Sequence, residues 1–200
     1  MLAIDLWAVR LERPLTPRET EIMLRLLPPE RRERLLRLQP EEKRREPLCG
    51  YLVLCMALRE CCGWKKLPEI ALTDRGKPYF PEHPDVHFNI SHTSGAVLVG
   101  LSDQPVGVDI EKIRPVSQRA MRRLAAASTE EEFFQSWVRR EARSKRSGAG
   151  ISTMMRSESP LQYGEYYYEL DVFPGYAAGV ATRSKDLPVP VRKYSLDEMV

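Results

Sequence analysis

The chain has 200 residues with an ordinary hydrophobic share of 42%, 31 basic against 28 acidic residues and a net charge of +3, which points to a globular protein with a real core and excludes a disordered chain. The small charge also argues against bulk nucleic-acid binding, and neither a run of about eighteen apolar residues nor a signal-like N-terminus occurs, so the expected address is cytoplasmic with no membrane span. Cys49, Cys55, Cys61 and Cys62 share one apolar stretch without CxxC spacing or a nearby histidine, and read as reduced core thiols.

Leu2 to Val9 suits a strand. Thr16-Pro17-Arg18-Glu19 is a capping box with proline at the first helical position, opening a helix to about Leu27. Pro28-Pro29 breaks it and starts another through Leu38; Pro40 restarts the pattern. Leu48 to Cys62 is almost wholly apolar and predicts the central helix of the first half, capped by Gly63. Ile70 to Thr73 followed by Asp74-Arg75-Gly76-Lys77-Pro78 fits a hairpin, and Val86–Ile90, Ala96–Leu101 and Val106–Ile110 predict three short strands in a meander. Ser117 to Ala127 is helical, and Ser128-Thr129-Glu130-Glu131 opens a long helix to about Arg146, ended by Gly148 and Gly150. Tyr166 to Val172 alternates as a half-buried strand with Tyr176 to Thr182 as its partner, and the tail from Lys185 is expected to be an irregular edge segment. The alternation predicts an α+β protein in two halves that meet near Leu101 to Pro105.

Asp109 and Glu111 lie two apart on a predicted strand and share a face, with Val108 and Ile110 opposite. They are either a solvent-facing edge or an oxygen pair for a hard cation such as Mg²⁺, with Gly107 permitting close approach of a ligand or backbone. Phe133, Trp137, Glu141 and Lys145 recur every four residues on the long helix. Glu141 and Lys145 form either an i,i+4 ion pair or a base and phosphate clamp beside the strand acids. His92, in a Ser-His-Thr-Ser turn, reads by itself as a structural hydrogen-bonder, and the basic run Arg31 to Arg45, interleaved with Glu30, Glu33, Glu41 and Glu42, as a solvated helix face.

Four ordered motifs together resemble the 4'-phosphopantetheinyl transferase family, in its larger pseudo-dimeric type acting on peptidyl and acyl carrier proteins: Gly76-Lys77-Pro78, Phe88-Asn89-Ile90-Ser91-His92, Gly107-Val108-Asp109-Ile110-Glu111, and Trp137-x3-Glu141-x3-Lys145-x2-Gly148-x-Gly150. The resemblance extends more faintly over nearly the whole chain. It implies two similar α/β halves, each a small antiparallel sheet packed with helices, with the active site in the cleft between them: residues 1–102 as the coenzyme A nucleotide wall and 103–200 as the metal-binding and catalytic half. It implies coenzyme A as donor, Mg²⁺ held by Asp109 and Glu111, Glu141 helping to deprotonate the serine of an apo carrier protein, and Lys145 steadying the phosphate while 3',5'-ADP leaves. Arg31, Arg34, Lys77, Ser91 and His92 match positions that hold the coenzyme. Both bland readings, of the basic run and of the histidine, are reversed on that ground. The implied partners are coenzyme A and an acyl or peptidyl carrier protein in fatty acid, polyketide or nonribosomal peptide biosynthesis, with no nucleic acid, no membrane and a monomeric chain.

Three departures from the family pattern stand out. Glu46-Pro47 replaces a basic and a small hydroxyl residue, leaving Arg45 to supply a 3'-phosphate contact. Arg140 replaces a lysine, keeping charge but altering geometry. The connection from Met121 to Phe133 is short where the family carries a third acid, a role that falls to Glu130, to Glu131 or to a water. These departures motivate an alternative, a non-catalytic protein that retains the fold and binds coenzyme A or a carrier domain.

Overall fold

Two buried faces on one strand set the layering. In the computed structural model, which describes residues 4–150, 160–186 and 190–199, strand β1 (Asp5–Arg10) sends Trp7 and Val9 into one core and Leu6 and Ala8 into another. The predicted start of this strand at Leu2 lies outside the described residues. Strand β5 (Ala96–Ser102) keeps the same parity, with Val97, Val99 and Leu101 on the Trp7 side and Ala96 and Leu98 on the Leu6 side. A strand covered on both faces needs apolar residues at every position, which accounts for its unbroken apolar run.

With β4 (His87–Thr93) and β9 (Arg192–Ser195) these strands form a sheet of order β4-β5-β1-β9, in which β9 runs parallel to β1 and the rest is antiparallel. A second, antiparallel sheet has the order β6-β8-β7, from β6 (Gly107–Lys112), β7 (Tyr166–Glu169) and β8 (Tyr176–Thr182). Helices α1 (Pro17–Arg25), α2 (Pro29–Leu36) and α3 (Arg45–Cys62) bury Met23, Leu35, Leu48, Leu54 and Leu58 against the first sheet. The apolar faces of the two sheets meet through Leu6, Leu98, Val108, Ile110 and Val180. Helices α4 (Gln118–Ala125) and α5 (Glu130–Ser147) close the far side through Met121, Phe133, Phe134 and Val138. A short hairpin pairs β2 (Ala71–Leu72) with β3 (Pro78–Tyr79), the latter next to β4. The fold is a mixture of small sheets and packed helices, and no described helix is long and apolar enough to cross a membrane.

Thr16 caps α1 by the expected reciprocal box with Glu19, and Gly63 and Gly148 end α3 and α5 in the left-handed region. Four details differ from the sequence reading. The cap of α5 is Thr129 with Glu132, one residue later than expected, because Ser128-Thr129 and Glu130-Glu131-Glu132 offer two equivalent registers. The meander stops at two strands: β4 and β5 pair, but β6 leaves for the second sheet and takes β8 as its partner. Strand β7 ends at Glu169, although Tyr168, Leu170 and Val172 do share the core between the sheets. The tail returns as the edge strand β9 rather than as irregular chain, so the first sheet is not purely antiparallel.

Helix α5 lies unusually close to β6. A Cβ added at Gly107 would sit 2.2 Å from both the Ala142 carbonyl oxygen and the Arg146 amide nitrogen, so the glycine is required by backbone approach. Gly107→Ala is therefore expected to push α5 outward and to destabilise the protein by about 1–3 kcal/mol, as overpacking does. Thermal unfolding checks this, with a fall of roughly 2–4 °C per kcal/mol for a chain of this size; an unchanged midpoint would refute the close-contact account.

Candidate functional site

Strands β4 and β6 run side by side without a backbone ladder. Instead the β6 amides are met by side chains from alternate β4 positions: Val108 N–H donates to Asn89 Oδ1 (2.9 Å), Ile110 N–H to Ser91 Oγ (3.3 Å) and Lys112 N–H to Thr93 Oγ1 (3.4 Å). Period-2 geometry puts Asn89, Ser91 and Thr93 on one side of β4, and the same parity on β6 turns Asp109 and Glu111 toward α5 while Val108 and Ile110 enter the core.

The hydroxyls that satisfy the amides also grip the acids. Ser91 Oγ donates to Asp109 Oδ1 (2.7 Å) while accepting from Lys145 Nζ (2.9 Å) and Ile110 N–H, which saturates one hydroxyl. Thr93 Oγ1 donates to Glu111 Oε2 (3.2 Å), which also accepts from Arg114 (3.0 Å). Lys145 reaches Asp109 Oδ1 at 2.7 Å rather than pairing along its helix with Glu141, so the simple i,i+4 ion pair is not formed.

These groups open into a cleft of about 560 Å³ lined by Asp109, Glu111, Glu141, Lys145, Ser91 and His92, with Lys77, Arg75 and Gly148 at one end and Pro47, Tyr51, Ile70 and Phe88 as an apolar wall. The Glu141 carboxyl is pushed up to about 7 by burial first and then by the charges of Asp109 and Glu111, with Lys145 opposing. His92 is held below its usual range by the walls around it and by the Lys145 charge, although its outer edge meets solvent. Lys77 donates to the Arg146 carbonyl (2.5 Å) and the Val106 carbonyl (3.3 Å), and burial lowers its ammonium to about 8.

The oxygen chemistry suits a hard divalent cation. Asp109 Oδ2 is buried with no hydrogen-bond partner, an acceptor that a cation would satisfy, and Glu111 lies two residues along on the same face. Among the described residues no three His, Cys, Asp or Glu side chains are gathered closely enough to enclose a metal by themselves, so ligand oxygens and water would have to complete the shell. Glu130, expected as a third metal ligand, is not in the cleft: it stands in the first turn of α5, eleven residues or about 16 Å along the axis from Glu141.

Of the expected nucleotide contacts, Lys77, Ser91, His92 and Lys145 are gathered here and three arginines are not. Arg31 donates to the Ile70 carbonyl and does not line the cleft, and Arg34 is exposed on α2. Arg45 is bound to Glu46 (2.6 Å) and to the Arg13 carbonyl (3.2 Å) and does not line the cleft. Arg140 donates to the Leu124 carbonyl at the end of α4, away from the acids. The sequence reading missed Arg75 and Tyr51 as lining residues and Thr93 as a partner of Glu111; the polar alternation Asn89, Ser91, Thr93 was the available signal for the last.

Residues 13–103 match the family model described as 4'-phosphopantetheinyl transferase, N-terminal. The chain is 29% identical to the 4'-phosphopantetheinyl transferase Sfp of Bacillus subtilis (strain 168), in an alignment that covers 98% of this chain and 100% of that protein. It is 26% identical, with the same coverage, to the 4'-phosphopantetheinyl transferase ffp of Bacillus subtilis. It is also 31% identical to the 4'-phosphopantetheinyl transferase AcpT of Salmonella typhi, over 48% of this chain and 57% of that protein.

The raised Glu141 pKa has a stability consequence whose sign is fixed. The native carboxyl keeps its proton from about 4.5 to about 7, where the unfolded chain has released it, so Glu141 increasingly destabilises the fold as pH rises through that window. In metal-free buffer, Glu141→Gln is expected to be more stable than the parent by about 1–3 kcal/mol at pH 8 and indistinguishable near pH 4. Denaturant unfolding at the two pH values tests this, and equal stability at pH 8 would contradict the electrostatic account.

Proposed function

The chain belongs to the 4'-phosphopantetheinyl transferase family, and from that premise we propose that it transfers the 4'-phosphopantetheine group of coenzyme A to a serine hydroxyl of an apo acyl or peptidyl carrier protein, releasing 3',5'-ADP. The observation that carries the reading is the convergence in one cleft of a buried acid oxygen without a partner, a carboxyl near neutrality and an ammonium. A binding protein without turnover would have no need of that costly arrangement, which favours catalysis over the non-catalytic alternative. In this reading residues 1–102 furnish the nucleotide wall and 103–200 the metal-binding and catalytic groups.

The chemistry forms a bond between the serine oxygen and the β-phosphorus of coenzyme A and breaks the bond from that phosphorus to the bridging oxygen, which leaves with the nucleotide. Such transfers depend on positioning and charge neutralisation more than on covalent help from the protein. Glu141 is the base: with a pKa near 7 it is matched to accepting the serine proton at neutral pH. Lys145, held by Asp109 and Ser91, directs positive charge at the reacting phosphate. Lys77 and His92 line the same cleft and, in this reading, meet the nucleotide. Mg²⁺, when bound by Asp109 and Glu111, would neutralise the pyrophosphate and polarise its oxygens.

Incubation with coenzyme A, Mg²⁺ and a panel of apo carrier proteins, followed by intact-mass spectrometry, is expected to give the pantetheinylated product. Asp109→Ala and Glu141→Gln are expected to lower kcat at least about 100-fold, in the range of a lost general base or charge partner, while both variants remain folded. No product across the panel would sink the transferase reading; full rates in either variant would remove that residue from the mechanism.

A further inference from the structure

We propose that Glu46 is a positioning residue that latches the β4–β5 turn and thereby holds His92 in the cleft and Thr93 against Glu111, an inference that rests on the coenzyme A reading above. By sequence Glu46 is a lost nucleotide contact, but its geometry gives it a different task. Its Oε1 accepts from the Gly95 amide at 3.3 Å and from Arg45 at 2.6 and 3.2 Å. Arg45 in turn donates to the Arg13 carbonyl at 3.2 Å, and the Arg13 guanidinium is itself fixed by Glu19 at 2.8 Å and Asp197 at 2.7 Å. The latch is therefore anchored on α1 and on the C-terminal end of the described chain.

The turn it holds is Ser94-Gly95, directly after His92 and Thr93. Two further contacts grip the same turn: Leu11 N–H donates to the Gly95 carbonyl at 2.9 Å, and the Tyr176 hydroxyl of β8 donates to the Ser94 carbonyl at 3.0 Å. Glu46 supplies the side-chain partner of the Gly95 amide, so its removal strands that N–H and leaves Arg45 with only the Arg13 carbonyl among the described residues. Displacing the turn moves His92, which lines the cleft, and Thr93, which donates to Glu111. Glu46 itself does not line the cleft and touches no reacting group. Its effect is on where the nucleotide end of the donor is held, and so on donor affinity rather than on the bond-making step.

Calorimetric titration of coenzyme A into the full chain with Mg²⁺, together with turnover at saturating coenzyme A, tests this. Glu46→Ala is expected to weaken the Kd about tenfold with kcat within twofold of wild type. Glu46→Gln, whose amide oxygen still accepts from Gly95 N–H, is expected to stay within threefold in Kd. Tyr176→Phe, which removes the opposite grip on the turn, is expected to weaken Kd with kcat retained. A Kd in Glu46→Ala within twofold of wild type overturns the latch, as does equal weakening in Glu46→Ala and Glu46→Gln. Should Glu46→Ala fail to fold, an unchanged Kd in Tyr176→Phe overturns it. Wild-type protein that binds coenzyme A without turnover sinks the transferase reading and leaves the latch to be judged on Kd alone; wild-type protein that does not bind coenzyme A sinks both.

Discussion

The seam between β4 and β6 is the constraint on which the site depends. Strand β6 pairs with β8 on one edge, so the amides of Val108, Ile110 and Lys112 on its other edge need partners, and a buried N–H left alone is costly. A direct ladder would bring the backbones to about 4.8 Å and close the space between them. Side chains of Asn89, Ser91 and Thr93 interposed there hold the strands further apart, and the same hydroxyls then orient Asp109 and Glu111. Fold and site share their hydrogen bonds, so neither is independent of the other.

The arrangement is electrostatically unfavourable when nothing occupies it. Asp109, Glu111 and Glu141 line one cleft; Asp109 has the Lys145 ammonium and Glu111 the exposed Arg114 guanidinium, while Glu141 forms no ion pair among the described residues. Buried charges without full compensation weaken a fold, and one response is for a carboxyl to keep its proton, as Glu141 does. A divalent cation held by Asp109 and Glu111 would offset two of the charges that, after burial, raise Glu141. A ligand that bound this cleft would recover that stability, by the same linkage that makes ligands stabilise native states.

What was legible in the sequence follows from periodicity. The shared face of Asp109 and Glu111 and the four-residue spacing of Trp137, Glu141 and Lys145 are fixed by backbone geometry, and the cleft contains the polar residues from both series. Long-range pairing is not periodic: neither the return of β9 to β1 nor the departure of β6 from the meander leaves a local mark. The basic run is ambiguous in sequence for a related reason. A guanidinium that caps a carbonyl looks in sequence like one that meets phosphate, and Arg31, Arg32 and Arg44 spend themselves on the carbonyls of Ile70, Leu24 and Leu38. Glu130 lies far along α5 from Glu141, since a helix converts eleven residues into a separation that composition does not reveal.

Three elements must keep a fixed spacing for the cleft to work, and each spacing has its own physical cause. The side-chain seam sets β4 against β6, and the missing Cβ at Gly107 sets α5 against β6. Lys145 closes the triangle, because its ammonium bonds Ser91 of β4 and Asp109 of β6 from a position on α5. Lys77 ties the end of α5 to the β2–β3 hairpin through the Arg146 carbonyl, its stem lying against Gly148. A helix terminus favours a cation at its last carbonyls, so this tie also suits the dipole of α5. The cleft is thus held from more directions than the fold alone needs, which is what a reaction governed by the placement of phosphate and hydroxyl would require.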